Sequence, residues 1–395
     1  MSGGSFGTWL DMSQVRENPG FSALITPHIQ NIGTLHINRI STIEELAQTF
    51  PDFPRSMPNL RSFSFSPSLG FNQDWSTDPF EAFTPVLMHL SLEFLPLYPS
   101  LLRLRTLMNL TIHNLSFNVH LDTFLDFLEG NRALERANIH ILFKPSSLQN
   151  LRGQDPFTNR LKTLLISSNA AGGSALISRI ALQRGATLEA SCDGGVGLSD
   201  ILSIASSLAH LQILHEATFM EYHPERGTFR LVGPNGTFSL AYDRGNPFSE
   251  FHLLHLTHAQ AFHFIRCQLA LGFWGAPNPP APVKFPPSSF PALETLAVER
   301  DIHTPTLFSD LFSDPSASPS LKTLTFLDCK LNDNFLEALT KYASNRKNTT
   351  SAPLHRVVIV DLKGNIPRVT LIDALGEHVP VIDVHVSKKL PTDLI

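Results

Sequence analysis

The sequence predicts an α/β solenoid: parallel strands on a concave face, helices outside them, and one β-hairpin insertion. Three observations predict it. The stretch Leu321-Lys322-Thr323-Leu324-Thr325-Phe326-Leu327-Asp328-Cys329-Lys330-Leu331 fits the spacing L-x-x-L-x-L-x-x-N/C-x-L, with Phe326 in place of one Leu. Apolar triplets with the same one, four, six phasing recur along the chain, and from Leu60 to Leu87, Leu107 to Leu134 and Leu134 to Leu161 the step is 27 residues. Segments between them carry apolar residues at three- and four-residue spacing, the period of a helix. A single strand of this kind cannot bury its own apolar face and must stack on its like, so the pattern implies an array. The spacing and step are those of a leucine-rich-repeat right-handed solenoid, a horseshoe of roughly ten to twelve irregular repeats in one domain spanning 1–395.

An N-terminal cap is expected over 1–27. Irregular repeats follow over 28–214, at Ile32, Leu35, Ile37; Leu60, Phe63, Phe65; Leu87, Leu90, Leu92; Leu107, Leu110, Ile112; Leu134, Ala137, Ile139; and Leu161, Leu164, Ile166. Asn169 closes the last of these at the position Cys329 holds in the Leu321 stretch, where a polar side chain can bond backbone as the chain turns. Leu188, Ala190, Cys192 and Leu211, Ile213, Leu214 are degenerate versions. Helices are expected at Thr42 to Phe50, Leu121 to Glu129, Gly172 to Gln183, Leu198 to Leu208 and Asn334 to Ala343.

Residues 215–276 depart from the pattern. Thr228 to Val232 and Thr237 to Tyr242 alternate as strands do, and Gly233-Pro234-Asn235-Gly236 between them signals a hairpin over 228–242. Phe251 to Phe264 reads as a strand followed by a helix. A Pro-rich loop is expected at 277–291, extended and mobile. Repeats and the C-terminal cap resume over 292–395 at Leu293, Leu296, Val298, at Leu321, and at Leu354, Val357, Ile359. A last strand from Val381 to Val386 closes the array.

Composition narrows the function. Of 395 residues, 42% are hydrophobic and 16% charged, against about 25% charged in ordinary globular chains, so a large core is buried. A net charge of −5 gives no basic footprint for nucleic acid or an anionic membrane, and neither partner is expected. Cys192, Cys267 and Cys329 are too widely spaced for a metal or redox pair and odd in number, which suits a reducing cytoplasmic or nuclear compartment. His252, His255, His258 and His263 step by three, three and five, with no Cys or Asp pattern to complete a tetrahedral set, so no metal is expected. No nucleophile elbow, phosphate loop, dinucleotide fingerprint or zinc-protease helix occurs; Gly194-Gly195 reads as a turn, and no enzyme activity and no cofactor are expected.

Residues between the buried strand positions point to the opposite face. These are Ser62 and Ser64; His89, Ser91 and Glu93; Asn109, Thr111 and His113; Arg136, Asn138 and His140; and Thr323 and Thr325. With strands about 4.8 Å apart, His89, Asn109, Arg136 and Glu93, His113, His140 form polar columns, a candidate concave protein-binding face that also includes Asn138.

Two stretches resemble a family. Trp9, Ser13 and Pro19, followed by Pro27-His28-Ile29-Gln30-Asn31-Ile32-Gly33-Thr34-Leu35-His36-Ile37, are similar to the segment that follows the F-box in F-box proteins of mushroom-type fungi. Leu339 through Arg346, Leu354 to Ile359 and Val381 to Val384 are similar to that family's closing repeats. The resemblance covers almost the whole chain but not the F-box, for which only eight residues precede Trp9. It implies a non-enzymatic protein-recognition module, the substrate-binding part of an F-box ubiquitin-ligase receptor. A Skp-type adaptor is an implied partner only with an F-box upstream. The alternative is a free-standing leucine-rich-repeat interaction scaffold or inhibitor with no ubiquitin role.

Overall fold

The computed structural model describes residues 6–11, 20, 23–24, 26–40, 49, 57–67, 86–94, 98–143, 156–158, 160–193, 211, 214, 216–223, 228–242, 258–265, 285–300, 308–314, 316–349, 353–362 and 366–385. It is an α/β structure dominated by parallel strands, and it divides into two compact units, residues 1–194 with 203–210, and residues 195–202 with 211–395.

In the first unit the strands are β1 (Phe6–Asp11), β2 (Ile32–Ile40), β3 (Ser62–Pro67), β4 (His89–Glu93), β5 (Asn109–Val119), β6 (Arg136–Phe143), β7 (Phe157–Thr158), β8 (Thr163–Asn169), β9 (Ile180–Ala181) and β10 (Ala186–Asp193). The pair β7 and β9 stands apart. The others run side by side in chain order, each parallel to the next. Parallel neighbours require a crossover between them. Among the described residues, two crossovers contain helices, α1 (Leu121–Gly130) and α2 (Ala170–Arg179), where such periodicity predicts them.

The predicted apolar positions are the core. Leu35, Phe63, Leu90, Leu110, Ala137, Leu164 and Leu188 form one register column, and Ile37, Phe65, Leu92, Ile112, Ile139, Ile166 and Ala190 the next. None is more than 4% exposed. Each of the larger side chains contributes about 1.5–3 kcal/mol by leaving water. On α1, Leu121, Phe124, Leu125, Phe127 and Leu128 are buried, and the Phe124 ring lies 5.7 Å from that of Phe143. Just past α1, the fully buried Asn131 closes the layer: Nδ2 donates to the carbonyls of Leu104 and Phe127, and Oδ1 accepts from the amide of Leu107.

In the second unit the strands are β11 (Phe219–His223), β12 (Thr228–Gly233), β13 (Gly236–Tyr242), β14 (Ala261–Ile265), β15 (Thr295–Glu299), β16 (Thr323–Leu327), β17 (Arg356–Val360) and β18 (Val381–His385). Their spatial order is β13-β12-β11-β14-β15-β16-β17-β18. The first three are antiparallel, and the rest pair in parallel from β11 onward. The predicted hairpin is present, with Gly233 opposite Gly236. Its glycines have separate reasons. Gly236 adopts φ 129°, and a Cβ on Gly233 would meet the Glu216 carbonyl oxygen at 2.7 Å.

The helices here are α3 (Ser309–Ser313), α4 (Asp333–Thr349) and α5 (Arg368–Gly376). The expected helix at Asn334 to Ala343 is the first part of α4, whereas α3 and α5 lack a clear helical period and were not anticipated. The expected helix ending the Phe251 to Phe264 segment is not found in its described part: residues 261–264 belong to β14. Strand pairing to β11 and β15 outweighs a local apolar spacing that suits either state. The described end of the Pro-rich loop is packed rather than extended. Pro287–Ser289 is a 3-10 turn, and the buried rings of Phe285 and Phe290 stack at 5.4 Å while each touches Phe262. The expected helices at 42–50 and 198–208, apart from Thr49, lie outside the described residues, as do Cys267 and the glycines at 194–197.

Candidate functional site

Strands β3, β4, β6 and β8, and residues 109–113 of β5, alternate buried with more exposed residues, so one face is core and the other presents mainly polar side chains. The predicted columns are in register. His89 pairs with Asn109 and Asn109 with Arg136; Ser91 with Thr111 and Thr111 with Asn138; Glu93 with His113 and His113 with His140. The columns extend to Ser62, Ser64 and Ser66 on one side and to Thr163, Leu165 and Ser167 on the other. All seven predicted site residues, His89, Glu93, Asn109, His113, Arg136, Asn138 and His140, therefore share one face.

The columns are cross-linked between strands. Asn109 Nδ2 lies 2.6 Å from His89 Nδ1, and Asn138 Nδ2 lies 3.3 Å from His113 Nε2. In this arrangement each amide nitrogen can donate to the ring nitrogen it faces. The His113 and His140 rings meet edge to face at 5.8 Å. Ser66 Oγ donates to Glu93 Oε2 at 2.5 Å, engaging one carboxylate oxygen. Arg136 is exposed and makes no ion pair among the described residues. Beside it, Lys162 Nζ donates to Glu135 Oε2 at 2.9 Å, and this hydrogen bond with the accompanying charge attraction holds the Glu135 carboxyl below its ordinary range.

In the second unit Thr323 is part-exposed, but Thr325 is 1% exposed, against the expectation that it joins an open face. Its neighbours Ala297 and Val358, and Leu327 and Val360 in the next column, are also buried. These strands are apolar on both faces, as buried parallel strands commonly are.

A group of charged residues that the sequence pattern does not predict lies on β11, β14 and β15. His223 Nε2 lies 2.6 Å from Glu221 Oε1, and Glu221 is in register with His263. The buried His263 points Nε2 at Glu299 Oε2, 3.5 Å away, and Arg300 Nε lies 3.3 Å from Glu299 Oε1. The His263 contact, long for a hydrogen bond and otherwise unpartnered at Nε2, is the largest influence lowering the Glu299 carboxyl's affinity for a proton; burial opposes it, and the His263, Arg300 and His223 charges add to it. The strand alternation Glu221, His223 was the available signal. Its meaning depended on which strand stood alongside.

Among the described residues no group of three or more His, Cys, Asp and Glu side chains is placed to hold a metal ion. His252 and His255 lie outside them. No helix among the described residues is long and apolar enough to cross a membrane. A scan of family models and a search of curated proteins find no match to this chain.

Proposed function

We propose that the polar face of the first unit recognises a protein partner, and that the chain is the recognition part of an F-box-type ubiquitin-ligase receptor built as a leucine-rich-repeat solenoid. One observation carries the first half: side chains able to donate and accept hydrogen bonds stand in register on successive strands, part-exposed, with no catalytic constellation among them. Such a surface suits multiple weak contacts to an extended or convex partner, and stacked repeats commonly bind in this way.

The solenoid reading is supported by what happens at the N/C position of the repeat. Asn169 Nδ2 donates to the Phe143 carbonyl at 3.1 Å, and Cys329 Sγ to the Val298 carbonyl at 3.4 Å, each reaching back to the preceding strand. Two residues chosen by spacing alone thus do the same job in different repeats. Two crossovers on α1 and α2 and those on α3 and α4 alternate strand with helix in the manner the pattern requires.

The ligase role rests on the family resemblance, and adaptor docking in that family belongs to the F-box. The competing reading is a free-standing interaction scaffold or inhibitor, which the unaided polar face supports equally. Both are intracellular and neither is enzymatic. Affinity capture from native cells, with the endogenous locus tagged at the C-terminus, separates them. A captured chain of larger mass bringing a Skp-type adaptor and a cullin is the expected result for the receptor. A chain of 43.7 kDa holding a stable partner without the adaptor overturns the ligase reading. A partner retained in full by a chain carrying His113→Ala, Asn138→Ala and His140→Ala overturns the assignment of the face.

A further inference from the structure

Among the described residues, five non-glycine positions hold a left-handed backbone: Arg39 (φ 56°), Phe94 (φ 54°), Arg300 (φ 57°), Asp328 (φ 54°) and Asp361 (φ 52°). Four of them directly follow β4, β15, β16 and β17. In each of the four the amide donates to a carbonyl of the next strand: Phe94 to His113, Arg300 to Leu327, Asp328 to Val360 and Asp361 to His385. The conformation is therefore a recurring way of ending a strand. The conformation is sterically costly for any residue with a Cβ, least so for Asp and Asn.

At this position Phe94 is the exception. The others are charged, while Phe94 is an aromatic in a conformation that bulky residues avoid, and it is 50% exposed. It stands next to Glu93, at the end of the polar face, bonded to the backbone of His113. An exposed aromatic beside hydrogen-bonding side chains is the usual make-up of a binding anchor. At the other end of the face stands Arg136, the one Lys or Arg among the described side chains of the three columns, without an ion pair. Glu93 is already engaged by Ser66. The strands of this face thus carry an exposed aromatic just past one end and, at the other, an exposed arginine that is in no ion pair, though its charge reaches Glu135.

We infer that Phe94 and Arg136 are the two anchors of a site for an extended acidic peptide, which places a large apolar side chain on Phe94 and a carboxylate on Arg136. The inference rests on the reading of this face as a protein-recognition surface and deepens it. Register fixes the spacing. Arg136 aligns through Asn109 with His89, five residues before Phe94, and two strands away. At about 3.3 Å per residue along the strand and about 4.8 Å between strands, the anchors lie about 19 Å apart, a distance an extended peptide covers in about six residues. A carboxylate at the Phe94 end would meet Glu93, which sets the direction of the peptide.

The test is selection of a phage-displayed library of random twelve-residue peptides on the purified full chain. Fluorescence anisotropy then gives the Kd of synthetic copies of the enriched sequences. Phe94→Asp inserts the residue the fold itself uses at 328 and 361, and Arg136→Gln changes an exposed side chain, so both variants stay folded by circular dichroism. The expected result is enriched sequences sharing a large apolar residue and an Asp or Glu five to seven positions apart, with binding weakened at least tenfold by each variant. Peptides that bind both variants as tightly as the parent, yet lose binding on Asn138→Ala or His140→Ala, overturn the anchors and leave the recognition face standing. Peptides indifferent to all four substitutions, or no enrichment over bare support, overturn both.

Discussion

Arg346 Nη2 donates to the carbonyl oxygen of Leu321 at 2.8 Å, joining the last turns of α4 to the segment that leads into β16. The guanidinium is fully buried, with Nη2 also on the Pro319 carbonyl at 3.1 Å and Nη1 on that of Ser318 at 2.6 Å. Here three backbone dipoles converge on one charge. Its planar fork of donors is what lets one side chain reach three carbonyls.

Removing that fork strands the carbonyls of Pro319 and Leu321, while that of Ser318 keeps the Leu321 amide. Arg346→Ala is expected to lower unfolding free energy by at least about 2 kcal/mol, since each buried acceptor left unsatisfied costs about 1–3 kcal/mol. Arg346→Lys recovers only part, because an ammonium cannot span the same arc. Urea unfolding checks this as a drop in midpoint at unchanged slope. An unchanged midpoint for Arg346→Ala would show that the carbonyls find water.

Asn131 does the corresponding work in the first unit, with three buried hydrogen bonds. Asn131→Ala should cost about 2–4 kcal/mol by the same reasoning. Asn131→Asp should cost more, because a carboxylate would face the carbonyls of Leu104 and Phe127 where the amide NH2 now donates. Thermal melts of the two variants rank them, and an Asp variant as stable as the parent would contradict the assigned direction of these bonds.

Thr325 makes the opposite prediction. Its hydroxyl is buried and without a hydrogen-bond partner among the described residues. Thr325→Val keeps the shape and removes the unpaired group, so stability should rise by about 1 kcal/mol. A fall in the urea midpoint would mean that the hydroxyl is satisfied.

Glu299 predicts the acid limb. Its folded carboxyl titrates below the ordinary value because of His263 and the neighbouring positive charges. The stability it contributes is therefore fully present above the unfolded value, about pH 4.3, and is lost as pH falls through the folded value. Stability measured from pH 7 down to pH 3 should fall less steeply in Glu299→Gln than in the parent. Parallel curves would remove Glu299 from the acid response.

The first unit's core and its polar columns were legible because both follow from one arithmetic. In the first unit a residue three or five places after the first residue of an apolar triplet's spacing is buried, and the one between is not, as Leu107 with Leu110, Thr111 and Ile112 shows. Register across strands followed because equivalent positions align whatever lies between them. What lies over a face is a different matter. Thr325 and Thr111 occupy equivalent places in their strands, yet one is buried and the other part-exposed, because Thr111 lies between the polar Ser91 and Asn138 and Thr325 between Ala297 and Val358. No local period encodes that. The β14 strand was hidden for a similar reason, its Phe262 and Phe264 gaining their meaning from β11 and β15. Phe94 was overlooked because left-handed backbone leaves no mark on hydrophobic spacing.

His89 and Asn109 are 20 residues apart, whereas Asn109 and Arg136 are 27 apart, yet the three stand in one column. Segments joining the strands can therefore gain or lose several residues without moving any side chain of the face out of alignment. A gene encoding such a chain can accumulate insertions and deletions between strands while preserving the spacing of what it displays. Among the described side chains no buried residue shares that side of the strand in β4 through β6, so a displayed position can change without repacking the core. Selection then acts on the surface and on the framework almost as two separate inheritances, and a lineage can change what this face meets without first learning to refold.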